Sequence, residues 1–168
     1  MNDFLDNKIT LEKETHRYSL LDNPDIVFTS VTTYLDYFFE GFDGEKIAKK
    51  LIANVPKYKG RTVDSLIEEW DESARYGTMV HDEIENWIKN SVEPKDIKSI
   101  NGKNWLRKYQ TKSGIDFLSE VIIYSKELKI AGTIDILAKD KNTGEYIIID
   151  YQGIPEMTHG ARGRFQAR

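Results

Sequence analysis

Apolar positions follow two different periods along this chain. From Ser119 to Gln152 they alternate with polar residues or gather into short β-branched runs, which predicts three strands, Ser119 to Ser125, Lys129 to Lys139 and Glu145 to Tyr151. A turn at Lys141-Asn142-Thr143-Gly144 joins the last two, so the three strands should form a meander. Upstream the period is helical. Ser30 is placed to cap a helix carrying Val31, Tyr34, Leu35 and Phe38 on one face, closed by Gly41. A second helix over Gly44 to Asn54 gathers Ile47, Leu51 and Ile52 and stops before Pro56. The pattern from Thr62 to Asn90, with Leu66, Ile67, Trp70, Val80, Ile84, Trp87 and Ile88, is helical again, and Gly77 inside it predicts a close approach or a break. A last helix over Gly102 to Thr111 carries Trp105, Leu106 and Tyr109 and leads through Gly114 into the meander.

Ahead of these lie weaker strand signals at Lys8 to Glu12 and Arg17 to Leu21, followed by a turn at Asp22-Asn23-Pro24-Asp25 and the apolar Ile26-Val27-Phe28. Helices followed by strands predict an α+β fold, with helices packed on a small mixed sheet that contains the meander. Residues 1–152 read as a single domain. Residues 153–168, GIPEMTHGARGRFQAR, carry three glycines, one proline and three arginines without a period, and read as a basic, disordered tail.

Length and composition narrow the picture. At 168 residues the chain has enough apolar side chains for one core. No apolar run reaches the roughly 18 residues of a membrane span, and no secretory leader pattern opens the chain, so the expectation is a cytoplasmic or organelle-interior protein that is neither secreted nor in a membrane. The absence of cysteine excludes disulfides and thiolate metal sites. A net charge of −4 argues against indiscriminate binding to nucleic acid, although a local basic channel remains compatible with it. The loop Lys57-Tyr58-Lys59-Gly60-Arg61 is the basic stretch with an aromatic in it, and composition makes Tyr34, Lys57, Lys59 and Arg61 the expected strand contacts.

Acids interrupt the meander. Asp135 stands between Ile134 and Ile136, and Asp150 follows Ile147-Ile148-Ile149. A carboxylate in a buried strand is costly unless paired or bound to a metal, so the two either share a cation such as Mg²⁺ or Mn²⁺ or are neutralised by a lysine such as Lys129 or Lys139. His81 and Glu85 lie four apart beside an apolar helix stripe, where a histidine is ordinarily structural. Glu120 opens the first strand, either as a solvent-facing acid or as part of the same cluster.

In order, GTMVHDEIENWI, SEVIIYS, AGTIDILAKD and GEYIIIDYQ resemble the successive motifs of the PD-(D/E)XK nuclease superfamily, in the RecB-like branch that includes CRISPR-associated and mitochondrial genome maintenance exonucleases. The stretch FTSVTTYLDYFFEGFDGEKIAKK resembles the helical entry of the mitochondrial-type members, and the likeness spans residues 28–152. It implies a restriction-endonuclease-like core and a Mg²⁺ or Mn²⁺ ion held by His81, Asp135, Asp150 and the carbonyl of Tyr151. Glu120 would serve beside that ion, and Gly132 would let its strand pass close to the substrate. The implied activity is hydrolysis of DNA phosphodiester bonds, as an exonuclease on single strands or strand ends; the alternative is an inactive nuclease-like fold that binds nucleic acid or protein. Two departures stand out. The family's third motif ends in lysine where this chain has Gln152, which offers an amide dipole in place of a charge. The family also continues with a glutamine-containing helix and a further strand, a pattern residues 153–168 lack. The expectation is a truncated chain, or one completed by another subunit, with an exposed sheet edge that invites a homodimer.

Overall fold

A short hairpin opens the structure. Strand β1 (Ile9–Glu12) pairs antiparallel with β2 (Arg17–Leu20), from Ile9↔Leu20 to Glu12↔Arg17, around the turn Lys13-Glu14-Thr15-His16. The computed structural model describes residues 8–39 and 41–151; Gln152 and the tail 153–168 lie outside the described residues. Alternation turns Tyr18 and Leu20 inward, where they join Ile9, Phe28 and Ala131 in one of two apolar clusters. The Tyr18 hydroxyl lies 3.1 Å from Thr133 Oγ1 and fastens the hairpin to the sheet.

That sheet is mixed. β4 (Ile115–Ser125), β5 (Ile130–Asp140) and β6 (Tyr146–Ile149) form the antiparallel meander, and the short β3 (Thr29–Ser30) adds parallel to the start of β5. Because β4 runs along one whole edge of β5, β3 and β6 must share the other. β3 meets Ile130 and Ala131 and β6 meets Ile136 to Lys139, which leaves Gly132 to Asp135 without a strand partner on that edge among the described residues.

Helices follow their caps. Ser30 Oγ accepts from the Thr33 N–H at 3.0 Å and starts α1 (Val31–Asp36); Asp43 does the same for Lys46 at 2.9 Å and starts α2 (Gly44–Asn54). Thr62 caps α3 (Val63–Asn90), and Asp96 caps α4 (Ile97–Ser113), which Gly114 ends at φ 63°. Val80 and Ile84 of α3, Leu106 of α4, and Ile115, Ile136, Ala138, Ile149 and Tyr151 of the sheet side make the second cluster. The fold is α+β, with α3 and α4 against the meander.

Several expectations need correcting. α1 stops at Asp36, and its expected buried face is exposed, Tyr34 by 41% and Phe38 by 65%, because a helix of 6 residues offers too little length to lay a stripe on the sheet. Gly77 neither breaks α3 nor meets a neighbour: a Cβ there would have nothing within 4 Å. α4 begins five residues earlier than its apolar period suggests, and β4 begins four residues earlier. In both cases a cap or glycine, Asp96 or Gly114, sets the start.

Candidate functional site

Glu120 is the irregular point of β4. Its φ of 52° is left-handed, a conformation that costs a non-glycine residue about 1–2 kcal/mol. The ladder pairs Ser119↔Ile136 and Val121↔Ile134 flank it, so Glu120 stands opposite Asp135. The β5–β6 ladder ends at Ile136↔Ile149, and one further step in that register sets Asp135 opposite Asp150. Glu120 of β4 and Asp135 of β5 are therefore opposed within the sheet, and Asp150, exposed just beyond the end of β6, continues their line. Like charges directly opposed on adjacent strands are destabilising.

Their surroundings add more negative charge. Burial pushes the Glu120 carboxyl above the usual carboxylate range, and the charges of Glu85 and Asp135 push it further, opposed by Lys13 and Lys89. Glu85 comes from α3, where Lys89 Nζ holds its Oε1 at 2.6 Å one turn on. His81, one turn back on the same helix, lays its ring on that of Tyr151, with centroids 3.9 Å apart and planes at 38°. The Tyr151 N–H donates to Asp135 Oδ2 at 3.3 Å, which fixes the chain as it leaves β6. The Tyr151 hydroxyl is buried without a hydrogen-bond partner among the described residues, and burial, with Asp135, Glu120, Glu85 and Asp82 around it, pushes it well above the usual phenol range.

Carboxylate oxygens with one imidazole form a donor set suited to Mg²⁺ or Mn²⁺. The opposed Glu120 and Asp135 are the feature that fits a cation, since a bound positive charge would offset their repulsion. Among the described residues, no three histidine, aspartate or glutamate side chains converge on a single metal-binding point. The line of acids and the His81–Tyr151 pair are thus neighbouring features, and Gln152 lies outside the described residues.

The four expected strand contacts do not gather here. Arg61 is paired with Glu69 and donates to the Ser65 carbonyl at 3.0 Å, so its guanidinium braces the start of α3. Lys57 sits over the Tyr58 ring at 5.3 Å, and Lys59 follows the same 3₁₀ turn, Pro56–Tyr58. Glu69 and His81 are twelve residues apart on α3, or roughly 18 Å along its axis, which measures the distance between the basic loop and the acids. Tyr34 is on α1, edge-on to Tyr37 and Phe38. The close approach at Gly132 is made by α1: a Cβ there would lie 2.8 Å from Val31 Cγ2.

A cavity of about 550 Å³ opens between the hairpin and the sheet, with Lys13, His16, Tyr18, Glu120, Gly132 and Thr133 in its wall. Lys13 carries no local sequence signal of a site; it arrives through the docking of the hairpin. No helix among the described residues is long and apolar enough to cross a membrane. No family model, curated protein or solved structure matches the chain.

Proposed function

We propose that this chain is a metal-dependent nuclease domain that hydrolyses DNA phosphodiester bonds, acting as an exonuclease on single strands or strand ends. The observation that carries the reading is the line Glu120, Asp135 and Asp150, in which two acids face each other inside a sheet and a third follows in register. When bound, Mg²⁺ or Mn²⁺ would supply Lewis acidity and an acidified water. Asp135, Asp150 and Glu120 would hold it, with His81, stacked on Tyr151, as the nitrogen donor. Asp135 also holds the Tyr151 amide, so the end of β6 and the acid move as one unit. Lys89 holds Glu85 against α3 and limits the negative field that meets a phosphate.

A cytoplasmic or organelle-interior setting and a homodimer through an open sheet edge belong to the same reading. The second reading is a nuclease-like fold that binds nucleic acid or protein without cutting. It is favoured by the absence, among the described residues, of three ligands on one point.

Cleavage of end-labelled single- and double-stranded DNA in Mg²⁺ or Mn²⁺ separates the two, using the chain, Gln152→Lys and Asp135→Ala. The nuclease reading expects cutting by the chain and at least a hundredfold loss in Asp135→Ala, on the order of the loss seen when electrostatic stabilisation of a transition state is removed. Cutting by Gln152→Lys alone identifies a sound site silenced by its glutamine. DNA retained but uncut by all three establishes the binding module.

A further inference from the structure

The hairpin brings a cation to the acidic line from outside the meander. Lys13 lies in the four-residue turn between β1 and β2, and its side chain shares a cavity wall with Glu120, Gly132 and Thr133. The hairpin is docked firmly. Tyr18 is 3% and Leu20 1% exposed, and the Tyr18 hydroxyl meets Thr133 two residues from Asp135. Lys13 forms no ion pair among the described residues, unlike Lys89, which is committed to Glu85. The attraction between Lys13 and Glu120, already noted, is that of a nearby uncommitted ammonium.

A cavity of about 550 Å³ matches a site for one nucleotide. Tyr18 and Val31 supply apolar wall, Ser30, Thr32 and Thr133 supply hydroxyls, and Lys13 is the lysine in the wall. A phosphate entering beside Glu120 needs a positive group on its other side, and the sequence has Gln152 where the resembled motif has lysine.

We infer that this cavity holds the nucleotide next to the scissile bond of a single strand, and that Lys13 binds its phosphate. Lys13 is a substrate-binding residue in this assignment, which rests on the nuclease reading.

The probe is a fluorescent twelve-nucleotide oligothymidylate, with binding measured by anisotropy in Ca²⁺ over a series of salt concentrations and cleavage measured in Mn²⁺. Lys13→Ala should weaken binding about three- to tenfold and flatten the dependence of log affinity on log salt by about 0.7, the share of one phosphate contact on a single strand. Lys13→Arg should restore both. Lys49→Ala, on α2 and outside the cavity wall, should change neither. The melting temperature of Lys13→Ala should equal that of the parent, since the side chain is exposed.

Parental affinity and salt slope in Lys13→Ala overturn the inference while the nuclease reading stands on cleavage by the parent. Binding that depends on Lys13 in a parent that never cuts upholds the phosphate site and defeats the nuclease reading. A parent that neither binds nor cuts defeats both.

Discussion

Glu120 concentrates the conflict in this molecule into one side chain: left-handed backbone, partial burial and an opposed aspartate. Its folded-state pKa is raised, so its effect on stability has a definite sign. Well below the ordinary carboxylate range Glu120 is protonated in both states and costs nothing. As pH rises through that range the unfolded chain ionises first, and the cost is complete above the raised folded value. Metal-free protein should therefore lose stability as pH rises through and beyond the ordinary carboxylate range, and Glu120→Gln should remove most of this loss. At neutral pH we expect the variant to melt roughly 1–4 °C higher, from about 0.5–1 kcal/mol of relieved repulsion; thermal melts of both proteins across that pH range check it. A lower melting point for the variant would mean that the carboxylate is stabilised by its surroundings. Asp135 could be picked out from sequence because it interrupts an apolar run, and a strand packed in a core excludes charge unless there is a use for it; Asp150 was marked by the isoleucine run before it, but β6 buries only Ile149 fully and leaves Asp150 exposed. Their alignment with Glu120 could not be picked out, since it depends on register, and register is set by the turns at Lys126 to Lys129 and Lys141 to Glu145.

Helix boundaries were legible where a cap adjoins a strong apolar period. Thr62 with Leu66 and Ile67 marked the start of α3, and Pro56 closed the space after α2. The start of α4 is not legible because Asn101 and Gly102 interrupt its early apolar positions Ile97 and Ile100, so that its apolar period is weak. Its true start is a side-chain clamp: Asp96 accepts from the Lys98 N–H at 2.8 Å and from the Tyr76 hydroxyl at 2.9 Å, while Glu83 accepts from the Lys95 and Asp96 N–H groups at 3.1 and 2.9 Å. These bonds tie the α3–α4 connection down, and the amide of Asp96 foremost holds the Glu83 carboxyl below its usual range. Asp96→Ala should cost about 0.5–2 kcal/mol by loss of the cap, measurable by urea denaturation. At the other contact between elements, Gly132→Ala would drive a methyl into Val31 Cγ2 and should cost about 1–3 kcal/mol as overpacking. Val31→Ala in the same chain should recover part of that loss, and additive losses in the double variant would show that the two residues are not in contact.

At the scale of the molecule, two apolar clusters divide the labour. One joins α3 and α4 to the meander and makes the scaffold; the other seats the β1–β2 hairpin over the start of β5 and brings Lys13 to the acids. Leu106 is fully buried in the first, and Leu106→Ala should cost about 2–5 kcal/mol in a denaturant melt. The α+β arrangement was readable from the change of period alone. The cavity was not, because a four-residue turn near one end of the chain and a strand a hundred residues later meet only through tertiary packing. Val31, Tyr34, Leu35 and Phe38 had a helical period yet stayed at the surface, since period measures amphipathicity and not the presence of a surface to cover it. The claim on which the rest depends is that the acids on the sheet bind a divalent cation. Mn²⁺ titration followed by thermal melting tests it most directly, comparing the chain with Asp135→Ala at neutral pH. The account predicts a melting temperature that climbs with Mn²⁺ as ligand linkage requires, by about 2.7 kcal/mol of stability at a hundred times the dissociation constant, and no climb in Asp135→Ala. An unchanged melting temperature in the chain itself, or an equal climb in the variant, would contradict it.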